Sequence, residues 1–180
     1  LYASPDDFRI TVKGKGGHGA EPHNCIDPIM ISASIIQALN NLISRETDPF
    51  DNAVISVGSI HGGSATNIIP DSVEIQGTAR SLTNEVRGFL KKRIGETAEG
   101  ICKTFGAECE YEYTELFPPL INDEKLAEDV YDSACRSIGK DKCVWGGAPT
   151  MAGEDFSYFS QNRPSVLFKL GCRNKSLGIV

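Results

Sequence analysis

Three short segments hold the residues whose types and spacing could do chemistry. In GKGGHGAEPH (Gly14–His23) a glycine-rich turn delivers His18 directly after the alternating Phe8, Ile10 and Val12. Glycine permits positive φ and a close approach of backbone to ligand. An imidazole so placed can donate a hydrogen bond or move a proton near neutral pH. The segment lacks the Gly-Lys-Ser/Thr of a Walker loop and the spacing of a dinucleotide fingerprint. Read alone, it is also an ordinary turn with a surface histidine.

The second segment, HGGSATNIIPD (His61–Asp71), joins two strand-like stretches and is longer than a hairpin needs. Asn67 offers both an amide donor and an acceptor, and Pro70-Asp71 fixes the entry to the next strand. The plainer reading has Asn67 satisfying only its own loop backbone. Arg80 closes an outward-facing row and could grip a carboxylate bidentately, or simply be solvated. In the third segment, MAGEDF, Glu154 and Asp155 follow Gly153. They could cap a helix starting there, or set a carboxylate at the mouth of a site. His23 and His61 have no second ligand at i+2 or i+4, so neither is read as a metal ligand.

The elements that must position these residues follow from periodicity. Residues 7–13 alternate as a half-buried strand. Asp27 caps a helix with Pro28 at its first position, and Ile29, Ala33, Ile36, Leu39 and Ile43 are its expected inward stripe. A strand over 53–60 and a second over 72–80 follow, the latter with Val73, Ile75, Gly77 and Ala79 inward. A helix runs from about Thr83 through Leu90, Ile94 and Ala98 to a stop at Gly106. Cys109, Tyr111 and Tyr113 then alternate with glutamates. The order βαββαβ is the ferredoxin-like unit, an antiparallel four-stranded sheet with two helices on one face.

Phe117–Asp123 is a proline-rich break. Beyond it the sequence predicts a helix capped by Asn122, with Leu126, Val130, Ala134 and Ile138 inward and Gly139 as its stop. Short strands are expected at 143–145 and 166–171. One helix and two strands cannot close a core, since unpaired strand edges need a partner sheet. The fold class is therefore α+β: a ferredoxin-like domain over 6–115, then an incomplete part of a second domain over 116–180. Leu1 is not a start methionine and the chain stops on the apolar, strand-like LGIV, so a piece of a longer protein is expected.

Composition narrows the partners. The chain has 180 residues, 40% of them hydrophobic and 23% charged, as in a globular protein. No apolar run approaches the roughly 20 residues of a membrane span. A net charge of −6 without a basic cluster argues against nucleic acid. Six cysteines lack any CxxC or zinc-finger spacing, which favours reduced thiols in a cytoplasmic setting.

Taken together, FRITVKGKGGHGAEPHNCIDPI, VGSIHGGSATNIIPDSVEIQGTARS and APTMAGEDFSYF resemble, in order and spacing, the zinc-type amidohydrolases and carboxypeptidases. That family includes aminoacylases, hippurate hydrolases, auxin-conjugate hydrolases and N-acetyldiaminopimelate deacetylase. The resemblance implies an α/β metallopeptidase catalytic domain carrying two divalent ions, zinc or manganese, with a ferredoxin-like lid and dimerisation domain inserted. It implies hydrolysis of the amide of an N-acyl amino acid or small peptide, with His18 stabilising the oxyanion and with Asn67, Arg80 and Glu154 binding substrate. The lid implies a homodimer. No metal ligand is expected in this chain, because the segments that supply the ligands fall outside it; the piece alone is expected to be inactive. MAGEDF departs from the family's MGSEDF at Ala152 and Gly153. The alternative is a stand-alone ferredoxin-like module that binds a small molecule or dimerises without catalysis.

Overall fold

The computed structural model describes residues 1–173, 176 and 178. The chain begins with β1 (Ser4–Lys13) and a two-residue strand β2 (Gly17–His18), followed by α1 (Pro28–Asn41). The Asp27 carboxylate accepts from the backbone N–H of Ile29 at 2.9 Å, which caps α1, and Pro28 fits the first turn because no N–H is required there. The helix widens into a π turn over Leu42–Glu46. Then come β3 (Ala53–His61), the two-residue β4 (Ile68–Ile69) and β5 (Ser72–Ser81). Thr83 caps α2 (Asn84–Thr104), and Gly106 at φ 75° turns the chain into β6 (Glu108–Thr114). After the proline segment lie α3 (Glu124–Ile138) and a single turn, α4 (Ser157–Ser160).

The main sheet has the order β3-β5-β1-β6, with every pair antiparallel. This is the ferredoxin-like arrangement expected from the βαββαβ order. Phe8, Ile10 and Val12 of β1 and Val73, Ile75 and Ala79 of β5 form one buried face. Ile31, Ile35, Leu39 and Leu42 from the first helical segment and Val86, Leu90, Ile94, Ala98 and Cys102 from α2 pack on it. Both helices therefore cover the same side. Gly77 is required in β5 because a Cβ there would run into the Phe8 ring and the Ser56 carbonyl.

The stripe of α1 differs from expectation. The buried set is Ile31, Ile35, Leu39 and Leu42, while Ile29 and Ala33 are exposed and Ile36 and Ile43 are only partly buried. Both sets obey helical spacing on adjacent faces, so periodicity alone could not choose between them. The choice is made by the entry of the helix, where Pro28 is buried against Gly14.

A buried carboxylate anchors the start of β1. Asp6, fully buried, accepts from Arg87 Nε and Nη2, each at 2.7 Å, from the Tyr113 hydroxyl at 2.9 Å and from the Leu116 N–H at 3.1 Å. One side chain thus joins β1, α2, β6 and the exit segment. The ion pair and its bidentate hydrogen bonds hold the Arg87 guanidinium above its ordinary range, against a smaller opposing effect of burial.

The last third behaves as an open layer. Asp123, not Asn122, caps α3, accepting from Leu126 N–H at 2.8 Å. Asn122 instead clamps Leu167, its Nδ2 donating to the Leu167 carbonyl and its Oδ1 accepting the Leu167 N–H, both at 3.0 Å. The side chain one residue further on has the reach for the helix N–H groups, and the flanking asparagine is free to hold a distant segment. No residue of α3 is fully buried: of its apolar stripe Val130 and Ala134 are half-buried, and Leu126 and Ile138 are exposed. The strands expected at 143–145 and 166–171 do not form: those residues carry no strand pairing, and Leu170 is 82% exposed. A strand needs a neighbour for its backbone groups, and none of the described residues supplies one. Of LGIV, Leu177, Ile179 and Val180 lie outside the described residues. All six cysteines are unpaired thiols.

Candidate functional site

The glycine turn and the long loop are zipped together, residue against residue. Gly14 N–H donates to the Asp71 carbonyl at 2.8 Å, and Gly16 N–H to Asp71 Oδ1 at 2.9 Å. Gly17 pairs with Ile69 and His18 with Ile68 in the β2–β4 ribbon, and Gly19 N–H donates to the Asn67 carbonyl at 2.8 Å. On the opposite flank Lys15 and Ile26 exchange two backbone hydrogen bonds of 2.9 Å. The turn is thus held on two sides.

This geometry explains the glycines differently from the expectation of positive φ. None of Gly14, Gly16, Gly17 and Gly19 has positive φ. A Cβ on Gly14 would collide with the Ile26 carbonyl, one on Gly16 would lie 2.6 Å from the Ile69 carbonyl, and one on Gly17 would lie 2.6 Å from Cys25 Sγ. They are glycines because two other pieces of chain pass directly against them. Asp71 completes the zipper, and sequence reasoning took it only as the entry to a strand; the sole signal was a carboxylate following proline at the loop's end.

His18 is exposed on this platform. The Ala20 N–H donates to its Nδ1 at 3.1 Å, and its own carbonyl accepts from Glu21 N–H at 2.9 Å. An Nδ1 that accepts carries no proton, so the neutral ring bears its hydrogen on Nε2. Asn67 is exposed beside it, fixed through its backbone to Gly19. The two residues therefore share one surface, carrying one N–H donor from the ring and an amide from Asn67.

Arg80 and Glu154 lie elsewhere. Arg80 pairs with Pro5 and Val54, eight residues along β5 from Ser72, roughly 27 Å at about 3.4 Å per residue. Its Nη1 donates to the Met151 carbonyl at 2.7 Å. Glu154, half-buried on the same loop, accepts from Phe156 N–H at 3.4 Å. Neither Glu154 nor Asp155 caps α4, which has no side-chain cap. The four candidate residues thus fall into two pairs at opposite ends of the sheet.

His23 and His61 are exposed, and His61 faces Glu74 across the strands. Among the described residues no group of three or more His, Cys, Asp or Glu side chains could hold a metal ion. The residues present do not fit the divalent-ion site that the resemblance implies. No helix among them is long and apolar enough to cross a membrane.

Residues 6–104 match the model of a peptidase dimerisation domain of the M20 type. "Thermostable carboxypeptidase 2" of Saccharolobus solfataricus is 39% identical over 181 aligned positions, covering 100% of this chain and 45% of that protein. The N-acetyl-L-cysteine deacetylase of Bacillus subtilis is 39% identical over 164 positions, covering 91% of this chain and 39% of its own length. Among solved structures, the Bacillus subtilis YXEP protein, described as a dinuclear metal-binding peptidase, superposes with a TM-score of 0.73 at 29% identity, over 91% of this chain and 40% of that one. The chain spans less than half the length of these relatives.

Proposed function

The chain belongs to the M20 peptidase family, and on that premise we propose that the whole protein hydrolyses the amide bond of an N-acyl amino acid or small peptide. The observation that carries this reading is the bond that orients His18: an exposed imidazole whose Nδ1 accepts the Ala20 N–H, which in the neutral ring leaves Nε2 as the donor. In amide hydrolysis the carbonyl oxygen gains charge as the tetrahedral intermediate forms. A donor already aimed outward stabilises that oxygen, and one such donor contributes on the order of 3–4 kcal/mol. Asn67, tied to the same platform, offers amide hydrogens to the substrate's carboxylate.

Residues 6–115 act as the lid and dimerisation domain, and residues 116–180 as a returning part of the catalytic domain. The incompletely covered stripe of α3 supports this division. Divalent ions, zinc or manganese, held by residues outside this chain, would supply the activated water. Arg80 and Glu154, at the opposite end of the sheet, line the site formed with the catalytic domain. His18 and Asn67 cannot reach that end within one chain, so a second lid supplies them across a homodimer. An open strand edge supports the dimer: among the described residues β3 has no partner on its outer side, and Met30 and Ile29 of the neighbouring α1 are exposed. Six unpaired cysteines suit a reducing, cytoplasmic setting.

The stand-alone module reading accounts for residues 6–115 only, whereas likeness to the carboxypeptidase runs through APTMAGEDF to the end of the chain. The test is hydrolysis of a panel of N-acetyl amino acids by the full-length protein, with and without a chelator. Chelator-sensitive turnover is expected; its absence across the panel would remove the proposal.

A further inference from the structure

The 150–156 loop is seated on the root of the lid through contacts that the proposed reaction leaves unused. Two stretches of chain join the sheet to the remainder, Ala3 with the first two residues of β1 (Ser4–Pro5) and Phe117–Pro119 after β6, and each is clamped at both ends. On one side Tyr2 and Leu120 exchange backbone hydrogen bonds of 3.1 and 3.0 Å. On the other, Asp6 of β1 holds the Leu116 N–H. Prolines at 5, 118 and 119 restrict φ within both segments.

Gly153 lies between these two segments. A Cβ there would collide with Pro5 Cγ and would lie 2.8 Å from Pro5 Cδ and 3.2 Å from Phe117 Cδ2. The loop is held in place by Ala3 N–H donating to the Ala152 carbonyl at 3.0 Å and by Arg80 Nη1 on the Met151 carbonyl. The Tyr158 hydroxyl donates to the Leu116 carbonyl, and its ring meets Phe117 edge-on at 5.9 Å.

We propose that Gly153 is a positioning residue, whose missing side chain lets the loop bearing Glu154 seat against Pro5 and Phe117, so that the lid's orientation and the place of Glu154 are set together. Its kinetic consequence rests on the hydrolase reading; the seat itself does not. A serine at this position and Pro5 would compete for one space.

The experiment compares Gly153→Ser, Pro5→Ala and the double variant in the full-length protein. Two readouts are used: deuterium uptake of peptides covering residues 1–8 and 150–158, and kcat and KM on the best N-acetyl amino acid. Gly153→Ser should speed uptake in both peptides and lower kcat about 10- to 100-fold, as misplacement of a site residue does, with a smaller change in KM. Pro5→Ala removes Cγ and Cδ, so the double variant should regain slow uptake and most of kcat. Unchanged uptake in Gly153→Ser, or a double variant no better than the single one, would overturn the proposal. If Gly153→Ser does not fold, a soluble double variant supports the seat and an insoluble one overturns it. A wild-type protein without hydrolytic activity, but with the expected uptake pattern, would remove the hydrolase reading and leave the seat standing.

Discussion

The Ala20 N–H donates to His18 Nδ1 across 3.1 Å, and this one bond decides what the imidazole can offer. It fixes the neutral tautomer with the hydrogen on Nε2 and restrains the ring on a turn that is itself zipped to the 67–71 loop. The ring is a preset donor.

The platform beneath the ring depends on Asp71, whose Oδ1 takes the Gly16 N–H at 2.9 Å. Asp71→Ala should lower kcat of the full-length enzyme by roughly 10- to 100-fold, the equivalent of a lost charge-assisted hydrogen bond of about 1.5–3 kcal/mol. Asp71→Asn, which keeps an acceptor oxygen, should recover most of that loss. Steady-state kinetics of the two variants side by side check it.

The rotated stripe of α1 gives a paired stability and assembly prediction. Leu39 is in the core and Met30 is 64% exposed. Leu39→Ala should destabilise by about 2–5 kcal/mol in urea denaturation, while Met30→Lys should leave stability within about 0.5 kcal/mol. Met30→Lys should instead weaken the homodimer, read as a shift toward monomer in sedimentation at micromolar concentration. A full-length wild-type protein that is monomeric there would remove the dimer, and with it the delivery of His18 to a neighbouring site.

The strands of the lid were legible in the sequence because one face is buried and the other wet, which writes period two into Phe8-Ile10-Val12 and Val73-Ile75-Ala79. The helix α1 was legible in extent but not in orientation, since two overlapping apolar sets at helical spacing compete. His18 and Asn67 stood out through glycine density and loop length, and the structure does bring them together. The wide separation of Arg80 was not read from a motif, because distance along a strand matters only once register is known. Strands at 143–145 and 166–171 failed for a physical reason: an apolar run is a strand only beside another strand.

Arg87 compensates the buried Asp6 carboxylate through two 2.7 Å hydrogen bonds. Arg87→Ala leaves that carboxylate buried with only the Tyr113 hydroxyl and the Leu116 N–H. Removing one partner of such a pair costs about 3–5 kcal/mol. Urea denaturation of the variant should show a loss of this order, and a loss below 1 kcal/mol would contradict the account of the anchor.

Burial, and then the neighbouring Cys102, pushes the Cys109 thiol up to about 12. Below the ordinary thiol range both folded and unfolded chains keep this proton, and the stability it contributes is fully present. Between that range and about pH 12 only the unfolded chain releases it, so stability falls as pH rises. Urea midpoints should therefore decline from pH 8 to pH 10, and Cys109→Ala should flatten the decline. In the folded protein at pH 8, the exposed Cys172 should react with iodoacetamide well before Cys109.

The most direct measurement is the kinetics and metal content of His18→Ala in the full-length protein. An exposed donor that acts only on the developing oxyanion predicts kcat lower by roughly 10²–10³ with metal content unchanged. Loss of metal from the variant would make His18 a ligand, and an unchanged kcat would return His18 to an ordinary surface turn; either result contradicts the role assigned to it.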